Sequence, residues 1–364
     1  MNKTILFIID YLDYGGAGKM MKYVANICAD HFDDISLLAL YEKERSRSLS
    51  SKVKFYSLEE SQTGGILWRY RLIKKIRNAI ETIQPKVVCT FVSDICFSVR
   101  LATLGVKTTI VSAERGDPFT LPYAWKLLVG WTYRNSDYCF FQLSQARDFF
   151  GKKVAEKSFV IPNVFVQEDG LTPYWGKRKN TIVGAGRFVE EKRFEVLIEA
   201  FSRVSRVHPE FRLILYGEGK FLEKYKLLAE KLGISELIDF PGYVKGVARA
   251  IREDGIFVLP SRYEGIPNTL IEALSIGIPC VSTDCTPGGP FFLTKEGKNG
   301  ILVPVDDVGA MEEAILKVIE NDKISRTLSE KGPEIIEELK PSVIDKQWIE
   351  AFNFIIKKNI NYGH

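Results

Sequence analysis

A chain of 364 residues is longer than a single hydrophobic core comfortably supports and fits two domains of ordinary size. With 46% hydrophobic and 26% charged residues, the composition is that of a soluble globular protein, which sets aside a disordered, fibrous or membrane-spanning chain. A formal charge of +4, with no basic run that carries stacking aromatics, gives no reason to expect nucleic acid as a partner.

The opening "MNKTILFIIDYLDYGG" has an apolar run at 5–9 that ends at Asp10 and Asp13, so it reads as a buried first strand and not as a signal peptide. "ISLLAL", "KVVCTF", "TTIVSA" and "YCFFQL" follow as further strands, with helical patterns at 17–29 and 68–83 between them. The stretch "NVFVQEDGLTPYWGKRKN" is polar, has neither period and carries Pro173, which makes it a linker. A second series then begins: "TIVGAGR", "FRLILYG", "IDFPGY", "GIFVLP", "PCVST" and "GILVPV". It alternates with "EEKRFEVLIEAFSRV", "FLEKYKLLAEKLG" and "NTLIEALSIG". Strands alternating with helices predict an α/β chain with a parallel sheet in each half: a domain over 1–165, a linker over 166–180 and a second domain over 181–342. The amphipathic "VIDKQWIEAFNFIIKKN" in the remaining 343–364 has no strand to follow, so it either caps the second sheet or crosses back to the first. No apolar stretch reaches the roughly 18–20 residues that span a bilayer, and the expectation is a cytoplasmic chain that at most rests on a membrane. Cys28, Cys89, Cys96, Cys139, Cys280 and Cys285 lie in mostly apolar segments without CxxC pairing and read as reduced core residues.

Open parallel sheets bind ligands beyond the carboxyl ends of their strands, so strand exits carry the candidate site residues. After the first strand, Gly15 and Gly16 open a helix and would let backbone amides approach a phosphate or sugar. A turn without a ligand explains them equally, since the P-loop and dinucleotide spacings are both absent. "GAGRFVEEKRF" keeps its exit clear with Gly184 and Gly186 and brings Arg187 and Lys192 to a helix start, a pair of cations suited to a diphosphate. The alternative makes Lys192 a solvated companion of Glu190 and Glu191. "YGEGK" places Gly217 and Glu218 where a flat base could pass, or simply turns a strand into a helix. In "PSRYEGIPNTLIEALSIGIP", Pro267 suits the first turn of a helix, and the amides of Gly265, Ile266, Asn268 and Thr269 would meet a phosphate. Glu264 precedes that helix and would accept from a sugar. Glu272 lies in a segment too apolar for simple exposure, and a carboxylate is a good bidentate acceptor for a vicinal diol.

"PSRYEGIPNTLIEALSIGIPCVSTD" resembles the glutamate, seven residues, glutamate signature of the retaining glycosyltransferases of family 4. The resemblance extends to "GAGRFVEEKRFEVLIEAF", "GEG", "NGILVPVDD", "GGAGK" and the terminal helix, and so covers nearly the whole chain. It implies the GT-B fold, two Rossmann-like domains with parallel sheets facing across a cleft and a terminal helix that crosses back. It also implies roles: Arg187 and Lys192 on the donor diphosphate, Glu264 on the transferred sugar, Glu272 on the ribose, and Gly16 along the donor. The implied reaction keeps the anomeric configuration and uses a departing phosphate oxygen to help deprotonate the incoming hydroxyl.

No Asp-x-Asp sequence is present, so no metal or other cofactor is expected. His31, His208 and His364 fall at a helix end, before a proline and at the terminus, where none suits a base. "SAERGDP" resembles the "SER-x-DP" stretch of bacterial capsule, O-antigen and exopolysaccharide glycosyltransferases, which makes Glu114, Arg115 and Asp117 candidates for acceptor binding; a local Arg–Asp bridge is the alternative. "FTLPYAWKLLVGWTYR" and "WRYRLIKKIRNAI" mix basic and apolar residues as helices lying on anionic lipid do, although packing on the sheet would account for the apolar ones. The combined reading is a hexosyltransferase of surface polysaccharide synthesis. Its partners would be a nucleotide-sugar donor, most simply a UDP-sugar, and a saccharide or lipid-linked saccharide acceptor. A noncatalytic nucleotide-sugar-binding partner and a nucleotide-sugar epimerase are the competing readings.

Overall fold

The structure, a computed structural model, describes residues 4–12, 15–61, 64–168 and 170–361. It divides into two compact units, Met1–Asn163 with Ser342–His364, and Val164–Pro341. His364 lies outside the described residues.

The first unit is built on seven strands: β1 (Thr4–Ile9), β2 (Asp34–Ala39), β3 (Lys54–Ser57), β4 (Val87–Phe91), β5 (Thr109–Glu114), β6 (Tyr138–Phe141) and β7 (Ser158–Val160). All pair in parallel in the order β3-β2-β1-β4-β5-β6-β7. The central strands are buried along their full length, as β1 "TILFII" and β4 "VVCTF" require when helices cover both faces. Two strands go beyond the sequence expectation. β3 is a four-residue edge strand with alternate residues exposed, and β7 is a half-buried three-residue edge; neither has the apolar run that marks a buried strand.

The second unit carries β8 (Thr181–Ala185), β9 (Arg212–Tyr216), β10 (Ile238–Gly242), β11 (Ile256–Leu259), β12 (Cys280–Thr283) and β13 (Ile301–Val303), again parallel, in the order β10-β9-β8-β11-β12-β13. Each sheet reverses its winding beside its first strand, between β1 and β4 and between β8 and β11, where open α/β sheets leave a crevice for a ligand. Phe188, Phe194, Phe201 and Tyr225 form the aromatic centre of the second core.

The stretch 166–180 lies within the second unit. Arg178 anchors it by donating to four backbone carbonyls, those of Tyr174, Arg252, Asp254 and Gly277, at 2.6–3.1 Å. The terminal helix Pro341–Asn361 enters the first unit, so of the two placements open to it the crossing back is the one found. Trp348 stacks on Phe91 at 5.9 Å between ring centres and meets Phe140 at 4.6 Å, while Phe352 meets Phe7 at 5.7 Å. Tyr23 on the Gly15–His31 helix donates its hydroxyl to Asp345. All six cysteines are buried and unbridged. Among the described residues no helix is long and apolar enough to cross a membrane.

Candidate active site

The exits of β8, β9 and β10 and the start of the Asn268–Ser275 helix enclose a pocket of about 560 Å³ in the second unit. Gly186, Arg187, Gly217, Glu218 and Thr269 line it, all five of them anticipated from the sequence. Gly217 is fixed as glycine by its surroundings, because it has φ +147° and a Cβ there would stand 1.8 Å from the Gly186 carbonyl oxygen. The two glycine turns therefore lie against each other, and that contact draws the β8 and β9 exits together.

Lys192 and Glu264 form an ion pair across 72 residues of sequence, joining the loop after β8 to the loop after β11. Both side chains are largely buried, and the Ser261 hydroxyl donates to the same carboxylate oxygen, Oε1, at 2.7 Å. Oε2 keeps its acceptor capacity. The stem of Lys192 lies beside Gly186, with Cε 3.6 Å from where a Cβ would be. Arg187, exposed at the pocket rim, makes no ion pair among the described residues. The backbone around the pair is braced. The amide of Glu264 donates to the Thr286 carbonyl at 2.9 Å, that of Arg262 donates to the Glu191 carbonyl at 2.8 Å, and Asp306 accepts from both Arg262 and Arg193.

The helix after Glu264 begins at Asn268, with Pro267 in the capping position at φ −75°, ψ 110°, and not in the first turn as the sequence suggested. Proline's extended ψ holds it out of the helix, while its carbonyl accepts from Leu270 and Ile271 at 3.1 and 3.2 Å. No side chain caps this helix, and its first-turn amides face the loop of Gly265 and Ile266. Gly265 itself is pressed on Gly289, where a Cβ would meet the Gly265 carbonyl oxygen at 1.5 Å.

Glu272 is half-buried, and one of its oxygens accepts from the Ala248 amide at 3.2 Å, at the start of the Val247–Ala250 turn beside the pocket. Burial pushes its carboxyl above the usual glutamate value, and the amides of Ala248 and Val247 offset part of that. The partner that a buried carboxylate demands is thus backbone.

The remaining candidates belong to the first unit. Gly15 and Gly16 open the Gly15–His31 helix, and a Cβ at Gly16 would meet nothing within 4 Å. The tightly held glycine of that motif is Gly18, whose Cβ would stand 2.4 Å from the Tyr11 carbonyl oxygen. Glu114 at the end of β5 is 4% exposed and accepts from Ser93 at 2.6 Å, Tyr133 at 2.9 Å and the Gly116 amide at 2.9 Å. Arg115 donates to the Ile161 carbonyl and Asn163 and lies 5.3 Å above the Phe91 ring, while Asp117 caps the Pro118–Thr120 turn through the Phe119 amide. Among the described residues Arg115 thus finds neutral acceptors and an aromatic face. Sequence reasoning missed Tyr216, Tyr243, Val244 and Val247 as pocket residues and Ser261 as the companion of Glu264. Tyr243 ends the predicted strand "IDFPGY" and Val244 follows it, so the strand-exit rule would have found them.

The strand exits of this parallel α/β unit thus gather two cations, an uncapped helix start and two carboxylates. Residues 174–335, within this unit, match the family model of glycosyl transferases group 1. Over 95% of the chain and 97% of the relative, the sequence is 23% identical to a GalNAc-alpha-(1->4)-GalNAc-alpha-(1->3)-diNAcBac-PP-undecaprenol alpha-1,4-N-acetyl-D-galactosaminyltransferase of Campylobacter jejuni. A local match, 30% identical over 57% of this chain, covers 22% of an exopolysaccharide phosphotransferase of Streptomyces coelicolor. Among solved structures, Anabaena HepE in complex with UDP shares the fold at TM-score 0.78 and 16% identity, over 97% of this chain and all of that one. The fold is GT-B.

Proposed function

We propose that the protein is a retaining glycosyltransferase of the family 4 type that takes a hexosyl group from a UDP-sugar. The acceptor is a saccharide or lipid-linked saccharide of a bacterial surface polysaccharide, reached from the cytoplasmic side, and no metal or other cofactor takes part. The observation that carries the reading is the largely buried Lys192–Glu264 pair, which joins the loop after β8, where the exposed Arg187 also lies, to the loop that leads into an uncapped helix start. As the glycosidic bond breaks, negative charge grows on the diphosphate. Arg187, Lys192 and the amides of Gly265, Ile266, Asn268 and Thr269 stabilise it there more than in the ground state. Glu264, held by Lys192 and Ser261 through one oxygen, offers the other to a hydroxyl of the transferred sugar. Glu272 takes the ribose diol through the acceptor capacity that its backbone partners leave. Departing charge on the phosphate receives the acceptor's proton, so no protein base is required. The Glu114–Asp117 stretch shapes the acceptor side. The UDP complex of a GT-B neighbour and the polysaccharide- and lipid-linked names of the relatives support the choice of donor and acceptor classes.

The test is a thermal shift against a panel of nucleoside diphosphates and UDP-sugars, with and without a chelator, followed by donor turnover in the presence of lipid-linked saccharides. A shift confined to uridine nucleotides that survives chelation, with transfer and retained configuration in the product, is the expected result. Binding without turnover would favour a noncatalytic partner, and donor conversion without acceptor would favour an epimerase.

A further inference from the structure

Two side chains that pair beside the Lys192–Glu264 bridge both sit on backbone that favours glycine. Arg193, directly after Lys192, has φ +49°, and Asp306, in the turn after β13, has φ +61°. Left-handed backbone is uncommon for arginine and tolerated by aspartate at some cost, so it persists only where surrounding contacts over-determine it. Residues held in this way cluster at functional sites.

The contacts of Asp306 show what holds it. Its Oδ1 accepts from Nε of Arg193, and its Oδ2 accepts from Nε and Nη2 of Arg262 at 3.0 and 2.9 Å. Arg193 follows Lys192 in the chain, while Arg262 follows Ser261 and precedes Glu264 by two residues. One carboxylate from a third loop thus ties the loop after β8, which carries Lys192, to the loop after β11, which carries Glu264. The helix that follows Asp306 does not need it: the cap of Val308–Glu320 is Asp307, which accepts from the Ala310 amide at 2.9 Å. Both arginines are also held from a second side. Arg193 donates to the buried Glu195, and the Arg262 amide donates to the Glu191 carbonyl at 2.8 Å. Burial alone would raise the Asp306 carboxyl, but the two guanidiniums outweigh it and hold the group below its ordinary value, so it is ionised at neutral pH. Charge-assisted bonds of this kind fix direction as well as distance. The Lys192 ammonium, a point charge on a flexible stem, is the group that gains from a fixed backbone.

We infer that Asp306 is a positioning residue for the proposed transfer: by gripping Arg193 and Arg262 it sets the separation and orientation of Lys192 and Glu264. It does not line the 560 Å³ pocket and acts only through the two loops. The role rests on the reading of Lys192 and Glu264 as donor groups, and it matters because a displacement of about 1 Å can cost about 10²-fold in rate.

The experiment compares Asp306→Asn, which keeps the size and tolerates left-handed backbone, with Asp306→Gly, which removes the carboxylate and the strain together. Melting temperatures should stay near the parent's, because partly exposed ion pairs contribute little to stability. In both variants kcat with a UDP-sugar should fall about tenfold while the donor KM changes less than about threefold, since misplacement costs the transition state more than the ground state. Adding Asp306→Asn to Arg193→Gln/Arg262→Gln should cost nothing further, as expected of groups that act through one another. A second readout needs no donor: acylation of the lysines with a water-soluble amine reagent, mapped by peptide mass. Lys192, largely buried and paired in the parent, should react several-fold faster in Asp306→Asn, while Lys226 on the Leu222–Lys231 helix reacts as before. Unchanged Lys192 acylation would overturn the inference whether or not the parent turns over a UDP-sugar. So would parental kcat in both variants, or melting temperatures lowered in both, which would make Asp306 a structural link alone. A parent that neither binds nor turns over a UDP-sugar would remove the proposed chemistry and leave the acylation contrast to decide the tie between the loops.

Discussion

Lys192 and Glu264 neutralise each other across the β8 and β11 exits, and Ser261 donates to the carboxylate oxygen they share. The pair therefore sets both side chains in place ahead of any ligand, at the cost of keeping the ammonium occupied until a stronger anion arrives. In the proposed reaction a diphosphate carries more charge than one carboxylate, so the ammonium would be drawn toward it as the leaving group develops. Lys192→Ala should lower kcat by about 10²–10³-fold, the range for losing one preorganised charge donor. Glu264→Gln keeps the size and the Ser261 contact and should lower kcat by about tenfold to a hundredfold. Initial rates with a UDP-sugar check both, and near-normal turnover in Lys192→Ala would remove the diphosphate assignment.

Glu272 gives a pH prediction with a definite sign. Burial raises its folded-state pKa above the ordinary 4.5, so it protonates earlier on acidification than an exposed glutamate does. As pH falls through that raised value, the carboxylate loses an acceptor and nucleotide affinity should fall. The same shift means that ionised Glu272 destabilises the fold: its penalty is absent below the unfolded pKa and appears as pH rises through the folded one. Glu272→Gln should bind UDP about tenfold more weakly at pH 7 and lose the part of the pH dependence that belongs to this group. Calorimetric titrations of both proteins between pH 5 and pH 8 read the difference; superimposable profiles would displace the ribose contact.

Gly217 should tolerate no side chain. Its φ of +147° and the Gly186 carbonyl oxygen, 1.8 Å from where a Cβ would stand, leave alanine no position without moving backbone on both sides of the pocket. The expected outcome for Gly217→Ala is a loss of about 2–4 kcal/mol of stability, larger than the usual cost of a surface change, together with loss of nucleotide binding. Gly16→Ala, where a Cβ meets nothing within 4 Å, is the control and should stay within about 0.5 kcal/mol of the parent. Denaturation with and without UDP distinguishes the two.

The sheets were legible because a strand covered on both faces must be apolar throughout, so "TILFII" and "GIFVLP" announce themselves. Edge strands escape for the same reason, as β3 and β7 show. Glu264 and the glycine exits were legible from their place next to strand ends and Lys192 through the family resemblance, whereas Ser261 was not, since a serine before an acidic loop has no pattern of its own. Arg115 and Glu114 read as cleft residues because they follow a strand. Their true neighbours, Asn163, Ser93 and Tyr133, come from elements that no local pattern links to β5. Arg178 was absorbed into a polar linker, because its four carbonyl partners come from Tyr174 and from loops 74 to 99 residues further on.

Trp348 carries the last prediction. It is fully buried and its ring contacts, Phe91, Phe140 and Phe352, all lie in the first unit, whereas every residue lining the 560 Å³ pocket lies in the second. Truncating a buried tryptophan to alanine removes its transfer energy and leaves a cavity, at about 3–5 kcal/mol. Trp348→Ala should therefore destabilise the first unit by that amount and leave the second unit's core contacts intact. A chain of two such units need not unfold in one step, so calorimetry should separate a destabilised transition from one that UDP still raises. If UDP no longer shifts any transition in this variant, the pocket depends on the terminal helix, and the two units cannot be treated as independent folding blocks.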